Sequence, residues 1–264
     1  MKLLSWNIKA AESLGSRHVP DLDGLAAAID AQGVDIVCLQ ETGLGADDGA
    51  GAFWALRKTL QMEGHLAPGP RTESRATAVL WRPEVAELRS HTTHYRELFY
   101  HSAAIVALNV NGLSNPLTAA SVHLHPHSAD ARLAEASVFH MKADKDQLTI
   151  VAGDFNGLGA GDPEPSWADA RPGNRAARCV PAPPGTPVSQ RVGDRRVAWN
   201  LATAGFADAC QGPAYEATGQ HIRVDQAYLS EALAPTLTDY HVVDHNGLSD
   251  HKAIAIELDL TLVS

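Results

Sequence analysis

Six apolar runs reach from one end of this 264-residue chain to the other, and each meets a polar, chemistry-bearing residue at its boundary. Asn7 follows Leu3-Leu4-Ser5-Trp6, and Glu41 follows Ile36-Val37-Cys38-Leu39-Gln40. His123 sits near the end of 117–124. Gly153-Asp154-Phe155-Asn156 follows 148–152. Arg223-Val224-Asp225 opens the run to Leu229, and Ser249-Asp250-His251 precedes the run 253–260. Runs of this length, rich in Val, Ile, Leu and Ala and bounded by turn residues, read as strands buried on both faces. A fold that gathers their ends makes one polar floor.

The rest of the patterning restricts which fold that is. Residues 21–32 repeat at helical spacing, with Leu22, Leu25, Ala26 and Ile29 on one face and Gly33 as the stop. Residues 53–62 predict a second helix. Ser128 is an N-cap for a third, to Ala143, and a short one at 197–204 ends at Gly205. Strands at 76–81, 103–110 and 117–124 follow one another without helices between them. That mixture predicts an α/β (α+β) chain folded as a four-layer αββα sandwich, two mixed β-sheets flanked by helices, rather than one doubly wound sheet. Residues 1–264 read as a single domain. The exception to the pattern is 157–222, a Pro/Gly/Arg-bearing excursion with eight of the 15 prolines. Long excursions from compact domains are commonly functional or disordered.

Charge and cysteine content narrow the chemistry. The net charge is −10. That argues against a broad, salt-driven grip on long nucleic acid, although a local basic groove is compatible with it. The three cysteines form no CxxC and no even framework, and the N-terminal residues show no apolar targeting core. A reducing, cytoplasmic setting is the expectation. No apolar stretch is long enough to span a membrane, and no protein partner is indicated.

Each motif is weak by itself. Glu41 at a buried strand end suits magnesium, which prefers few carboxylates, several waters and substrate phosphate. Asn7 can orient a metal-bound water or a phosphate oxygen. Asp154 can accept a proton from an attacking water, and Asn156 can hold that water or a phosphate oxygen. His251, with a carboxylate partner, stays protonated and faces developing phosphoryl charge. Alternation places His123, His125 and His127 on one face, a possible zinc set. Pro126 ends the strand, however, and the other motifs supply mostly carboxylates and amides, which favours His123 as a phosphate donor. In the excursion, Arg171, Arg175, Arg178 and Trp167 are candidate substrate contacts, for phosphate and for base stacking. Six acids in the same excursion leave open a solvated surface instead.

Together, Ser5-Trp6-Asn7-Ile8, Leu39-Gln40-Glu41-Thr42, Ser121-Val122-His123-Leu124, Gly153-Asp154-Phe155-Asn156, Arg223-Val224-Asp225 and Ser249-Asp250-His251 resemble the endonuclease/exonuclease/phosphatase superfamily over essentially the whole chain. The resemblance implies a pancreatic-deoxyribonuclease-like αββα sandwich with the site at one edge of the paired sheets. It implies Mg2+ (or Mn2+) on Glu41, with Asn7 and Asp250 nearby. Asp154 would activate water, helped by Asn156. His251, paired with Asp225, would hold the phosphate together with His123. The implied function is metal-dependent hydrolysis of a phosphodiester in a nuclease-like reaction, with nucleic acid as a candidate substrate. The alternatives are a phosphomonoesterase acting on a small phosphorylated molecule such as a sugar or inositol phosphate, and a catalytically silent phospholigand-binding module. The Gly43-Leu44-Gly45-Ala46-Asp47-Asp48 stretch lacks the lysines that follow the metal glutamate in apurinic-site enzymes. The excursion matches no member's pattern.

Overall fold

The apolar runs pair along their lengths into two sheets. In this computed structural model, residues 1–10, 21–44, 50–212, 215–219, 221–245 and 247–263 are described. At the centre of the first sheet β1 (Lys2–Asn7) runs parallel to β2 (Ile36–Leu44). The remaining strands of that sheet pair antiparallel, in the order β11 (Leu237–Val243), β12 (Ala253–Leu258), β1, β2, β4 (Arg75–Trp81), β3 (Glu63–Ala67). The second sheet has the same plan. Its order is β5 (Ala86–Thr92), β6 (Ser102–Val110), β7 (Leu117–His123), β8 (Leu148–Asp154), β10 (Asp225–Ser230), β9 (Phe206–Asp208), and only β7 and β8 are parallel.

The inner faces meet through residues such as Leu3, Ile36, Val79, Val106, Ile150 and Ile254. Each such side chain contributes roughly 1.5–3 kcal/mol on burial. The outer faces carry the helices. On the first sheet, α1 (Leu22–Asp30) and α2 (Ala50–Thr59) pack through Leu25, Ile29, Phe53 and Leu56. Asp21 caps α1 by accepting from the Gly24 N–H at 2.9 Å. On the second, α3 (Ala129–Ala136), the 3-10 segment Ser137–Ala143 and α5 (Arg196–Thr203) pack through Ala136, Phe139, Ala198 and Leu201. Ser128 caps α3 as expected, accepting from the Ala131 N–H at 3.2 Å. The architecture is the expected four-layer sandwich.

Two expectations need correction. The predicted helix from Ser128 to Ala143 is α-helical only to Ala136, then tightens to 3-10 geometry, with the Ser137 hydroxyl donating back to the Ala134 carbonyl at 2.6 Å. The excursion 157–222 holds more than the one short helix expected at 197–204. It contains α4 (Pro172–Arg178), α5 and β9, and it wraps a small core of Leu158, Trp167, Cys179, Ile222 and Val224. No helix among the described residues is long and apolar enough to cross a membrane.

One buried cation fastens the excursion to the second sheet. Arg223, just before β10, is 1% exposed and reaches Asp162 at 2.8 Å and Asp208 at 2.5 Å. Removing one member of a buried ion group strands the others without a counter-charge. Arg223→Met is expected to lower the unfolding free energy by about 3–5 kcal/mol, measured by urea denaturation. A loss below 1 kcal/mol would show that the two carboxylates do not depend on it.

Candidate active site

The parallel pairs decide where the polar residues meet. In register, Asn7 lies beside Gln40, and His123 lies beside Asp154. Asp154 also pairs with Asp225 across the antiparallel β8–β10 ladder. The C-terminal ends of β1, β2, β7 and β8 therefore form one rim. Gly153 makes the last step of β8 possible: its φ is 152°, and a Cβ there would lie 2.0 Å from the Val122 carbonyl oxygen. Only glycine permits that approach.

At the centre of the rim is the Asp154 carboxylate, 3% exposed. The Asn7 amide donates to Glu41 Oε1 at 3.1 Å and to Asp154 Oδ2 at 3.2 Å, joining the two sheets' acids. The same Oδ2 lies 3.4 Å from His123 Nε2 and 4.0 Å from His251 Nε2. The Asn156 N–H donates to Oδ1 at 2.9 Å. Burial opposes ionisation of Asp154, but the His123 and His251 imidazoles and the Asn156 N–H outweigh it and hold the carboxyl below its usual range. His251 Nδ1 meets Asp225 Oδ2 at 2.9 Å. Burial works against charge on His251, yet Asp225 more than compensates and raises its pKa to about 10. Burial also pushes Asp225 up, with partial relief from His251. The pair holds one proton, and at neutral pH the Asp154 side of the rim is an anion facing an imidazolium.

The loop carrying His251 is tied to β1. The Trp6 indole donates to the His251 carbonyl at 3.0 Å, and the Ser249 hydroxyl donates to the Asn7 carbonyl at 2.7 Å. Thr218 fixes the start of β10 by accepting from the Asp225 N–H at 3.0 Å. Neither Trp6 nor Thr218 was expected to matter here.

The remaining expected residues divide. Glu41, φ 55°, sits where the β2–β4 register slips, and Arg75 pairs with it at 3.5 Å. Asp250 lies at the rim, half-exposed, in an ion pair with Lys9. The Asn156 side chain is committed: its Nδ2 donates to the Leu124 carbonyl at 3.0 Å, and its Oδ1 accepts from Arg178 at 2.5 Å. Arg178 thus reaches the site. Arg175 does not, because its guanidinium donates to the carbonyls of Ala170 (2.5 Å) and Trp167 (3.2 Å). Trp167 is 5% exposed and packs within the excursion's core. Arg171 is exposed at the start of α4 and forms no ion pair among the described residues. Residues 45–48, which carry most of the lysine-free stretch, lie outside the described residues.

The three-histidine set does not form. β7 ends at His123, whose ring packs against His101 at 4.1 Å between centroids, while His125 packs against Tyr100. His125 Nδ1 accepts from the His127 and Ser128 N–H groups instead. Among the described residues, the one group with metal-ligand spacing is Asp154, Asp225 and His251, whose donor atoms lie within 4.8 Å of one another. The Glu41 carboxylate stands one hydrogen-bonded amide away, with its side chain 19% exposed. Oxygen donors that are partly open to water suit a hard divalent cation better than zinc.

The comparisons agree with the fold. The model of the Endonuclease/Exonuclease/phosphatase family matches residues 4–251, and the chain belongs to that family, whose members generally hydrolyse phosphate esters. Solved structures share the fold at low identity. An endonuclease/exonuclease/phosphatase from Bacteroides vulgatus superimposes with a TM-score of 0.70 at 15% identity, over 98% of each chain. A 3'-5' exonuclease from Neisseria meningitidis gives 0.64 at 18%, over 98% of this chain and 100% of that one. D. rerio TDP2, complexed with a single strand DNA product, gives 0.61 at 14%, over 97% of each. No curated protein sequence matches the chain.

Glu135 supports the rim from behind. Buried at 1% exposure, it accepts from the N–H groups of Tyr100 and His125, both at 2.7 Å. Burial raises its carboxyl from 4.5 to about 7. Between those values the folded protein keeps a proton that the unfolded chain has released. Stability falls as pH rises through the window, by at most about 1.4 kcal/mol per unit, and levels off above it. Urea titrations at pH 5 and pH 7.5 should show wild type losing ground to Glu135→Gln between the two. Parallel curves would refute the shift.

Proposed function

We propose that this protein is a divalent-metal-dependent phosphoesterase that hydrolyses a phosphodiester by in-line attack of water, in the manner of a nuclease. The observation that carries the reading is the Asn7 amide donating at once to Glu41 and Asp154, with the His251–Asp225 pair alongside. An acid suited to a cation, an acid suited to a proton and a cationic imidazole converge on one point.

Glu41 and Asn7, with Asp250 at the rim, would hold Mg2+ or Mn2+. When bound, that cation supplies charge neutralisation at the phosphoryl oxygens. The chain's own residues do the rest. Asp154, ionised at neutral pH, orients the attacking water and accepts its proton as the bond to phosphorus forms. His251, kept protonated by Asp225, donates to a non-bridging oxygen where negative charge accumulates. His123, 3.4 Å from the same Asp154 oxygen, is a second donor. Asn156 fixes the turn after β8 and passes the position of Arg178 on to the site.

The test is a phosphoester panel with Mg2+ and Mn2+: phosphodiesters, including single-stranded and duplex oligonucleotides, beside sugar and inositol phosphomonoesters. Asp154→Asn and His251→Ala are each expected to lower kcat by about 10²-fold or more while leaving the fold intact. Glu41→Gln is expected to remove the metal dependence, read as loss of the Mg2+-induced rise in Tm. Variants as active as wild type across the panel would defeat the reading. Preference for monoesters would replace the phosphodiesterase assignment with a phosphomonoesterase.

A further inference from the structure

Beside the rim the excursion encloses a cavity of about 230 Å³. Asn156, Asp250 and His251 line one side of it, so it opens directly onto the place where a scissile phosphate would sit. The facing wall is largely apolar, with Pro165, Trp167, Ala170, Ile222 and Val224. Ser166, Asn174 and His221 add polar groups, and the Arg178 guanidinium lies against Asn156 at 2.5 Å. A hollow that sets such an apolar wall against polar groups at the rim has the mixed lining of a small-ligand pocket.

The wall is rigid. The Trp167 indole donates to Glu164 at 2.5 Å, and Glu164 also accepts from the Gly193 N–H at 2.6 Å and from Arg195 at 2.8 Å. Arg175 holds the carbonyls of Trp167 and Ala170, and Arg132, buried beneath, donates to the Ala177 carbonyl at 2.5 Å just before Arg178. Walls held this way need little ordering when a ligand enters, which favours affinity. The size sets what enters. A volume of about 230 Å³ accommodates one ring system, and a base seated there is parted from its pairing partner.

We propose that this pocket is a recognition subsite for a single flat ring group, a nucleobase or an aryl ring, carried beside the phosphoryl group. The protein then acts on small or unpaired ring-bearing phosphoesters rather than on internal positions of a duplex. The role of the neighbouring rim rests on the phosphoesterase reading above, but occupancy of the pocket does not.

Calorimetry with Mg2+ present compares adenosine monophosphate, phenyl phosphate and glycerol phosphate on the full chain. At least one ring-bearing probe should bind about tenfold or more tightly than glycerol phosphate, the discrimination an apolar pocket provides. The better of the two identifies the ring as base or aryl. Ser166→Trp and Ala170→Phe fill the hollow from an exposed and a half-buried position, and each should close the gap. Saturation-transfer NMR on wild-type protein, which needs no variant, should place the probe's ring protons against the protein. Equal binding of all three probes, no binding of any, a gap that survives both substitutions, or contact through the phosphate side alone would overturn the subsite. A ring preference without hydrolysis would leave the subsite standing and remove the phosphoesterase reading. Hydrolysis without ring preference would do the reverse.

Discussion

A carboxylate kept ionised inside protein is the constraint on which this structure turns. Asp154 is nearly sealed from water, and a lone charge there would be driven to neutralise. It stays an anion because an amide, two imidazoles and a backbone N–H are aimed at it from four different segments. None of those segments supplies the field alone. The requirement ties the register of the first sheet to that of the second, since Asn7 belongs to β1, His123 to β7 and His251 to the approach to β12. Two sheets packed with their parallel pairs ending at the same edge meet it. The polar seam beneath, where Gln40 donates to Ser121 at 3.0 Å and Ser121 donates to the Leu39 carbonyl at 2.8 Å, holds the sheets in that alignment.

Backbone strain gathers at the same edge. Among the described residues, four non-glycine positions have positive φ, and three of them, Lys9, Glu41 and Asn156, are at the rim. Each costs on the order of 1–3 kcal/mol if unrelieved. Lys9 and Asn156 sit two residues past the ends of β1 and β8, and Glu41 follows the last paired residue before the β2 register slip, so the ladders that precede each hold the conformation. In return the chain turns sharply enough to aim consecutive side chains at one point: Asp154 and Asn156 face the site although Phe155 between them is buried in the outer core.

The central strands were legible because buried strands are nearly continuous apolar runs, and the site was legible because each of its residues interrupts one. What the sequence hid has a common cause. The four strands not anticipated, β3, β5, β9 and β11, are the four sheet edges. Edge strands face water along much of their length, so β5 is exposed at Glu87, Leu88, Arg89, Ser90 and His91, and such a strand carries little apolar signal. The partners of the site acids were hidden for a different reason. Arg75 meets Glu41 only because β4 pairs antiparallel with β2 across a register slip, and nothing in the local sequence encodes that slip. Lys9 was closer to legible, standing two residues after Asn7 and ahead of any further apolar run.

The excursion's arginines show why composition misleads about binding. Six of them in a proline-rich stretch suggest a surface for polyphosphate, but half of them are already engaged by the protein itself. Arg175 serves carbonyls, Arg195 serves Glu164, and Arg196 serves Asp194 at 2.7 Å and Asp130 at 2.8 Å. An arginine already engaged by a carboxylate has little charge left for a phosphate, and exchanging partners gains little free energy. Arg171 and Arg191 form no ion pair among the described residues, and the one that reaches the rim is Arg178, whose partners are the neutral Asn156 and Asn174 amides and whose charge faces Asp154. On the proposed reading, one such guanidinium at the rim of a chain with net charge −10 suits a single phosphoryl group. A long polyanion needs many neutralising contacts in a row, and three of the arginines that could have joined that row, Arg175, Arg195 and Arg196, hold the excursion in shape instead.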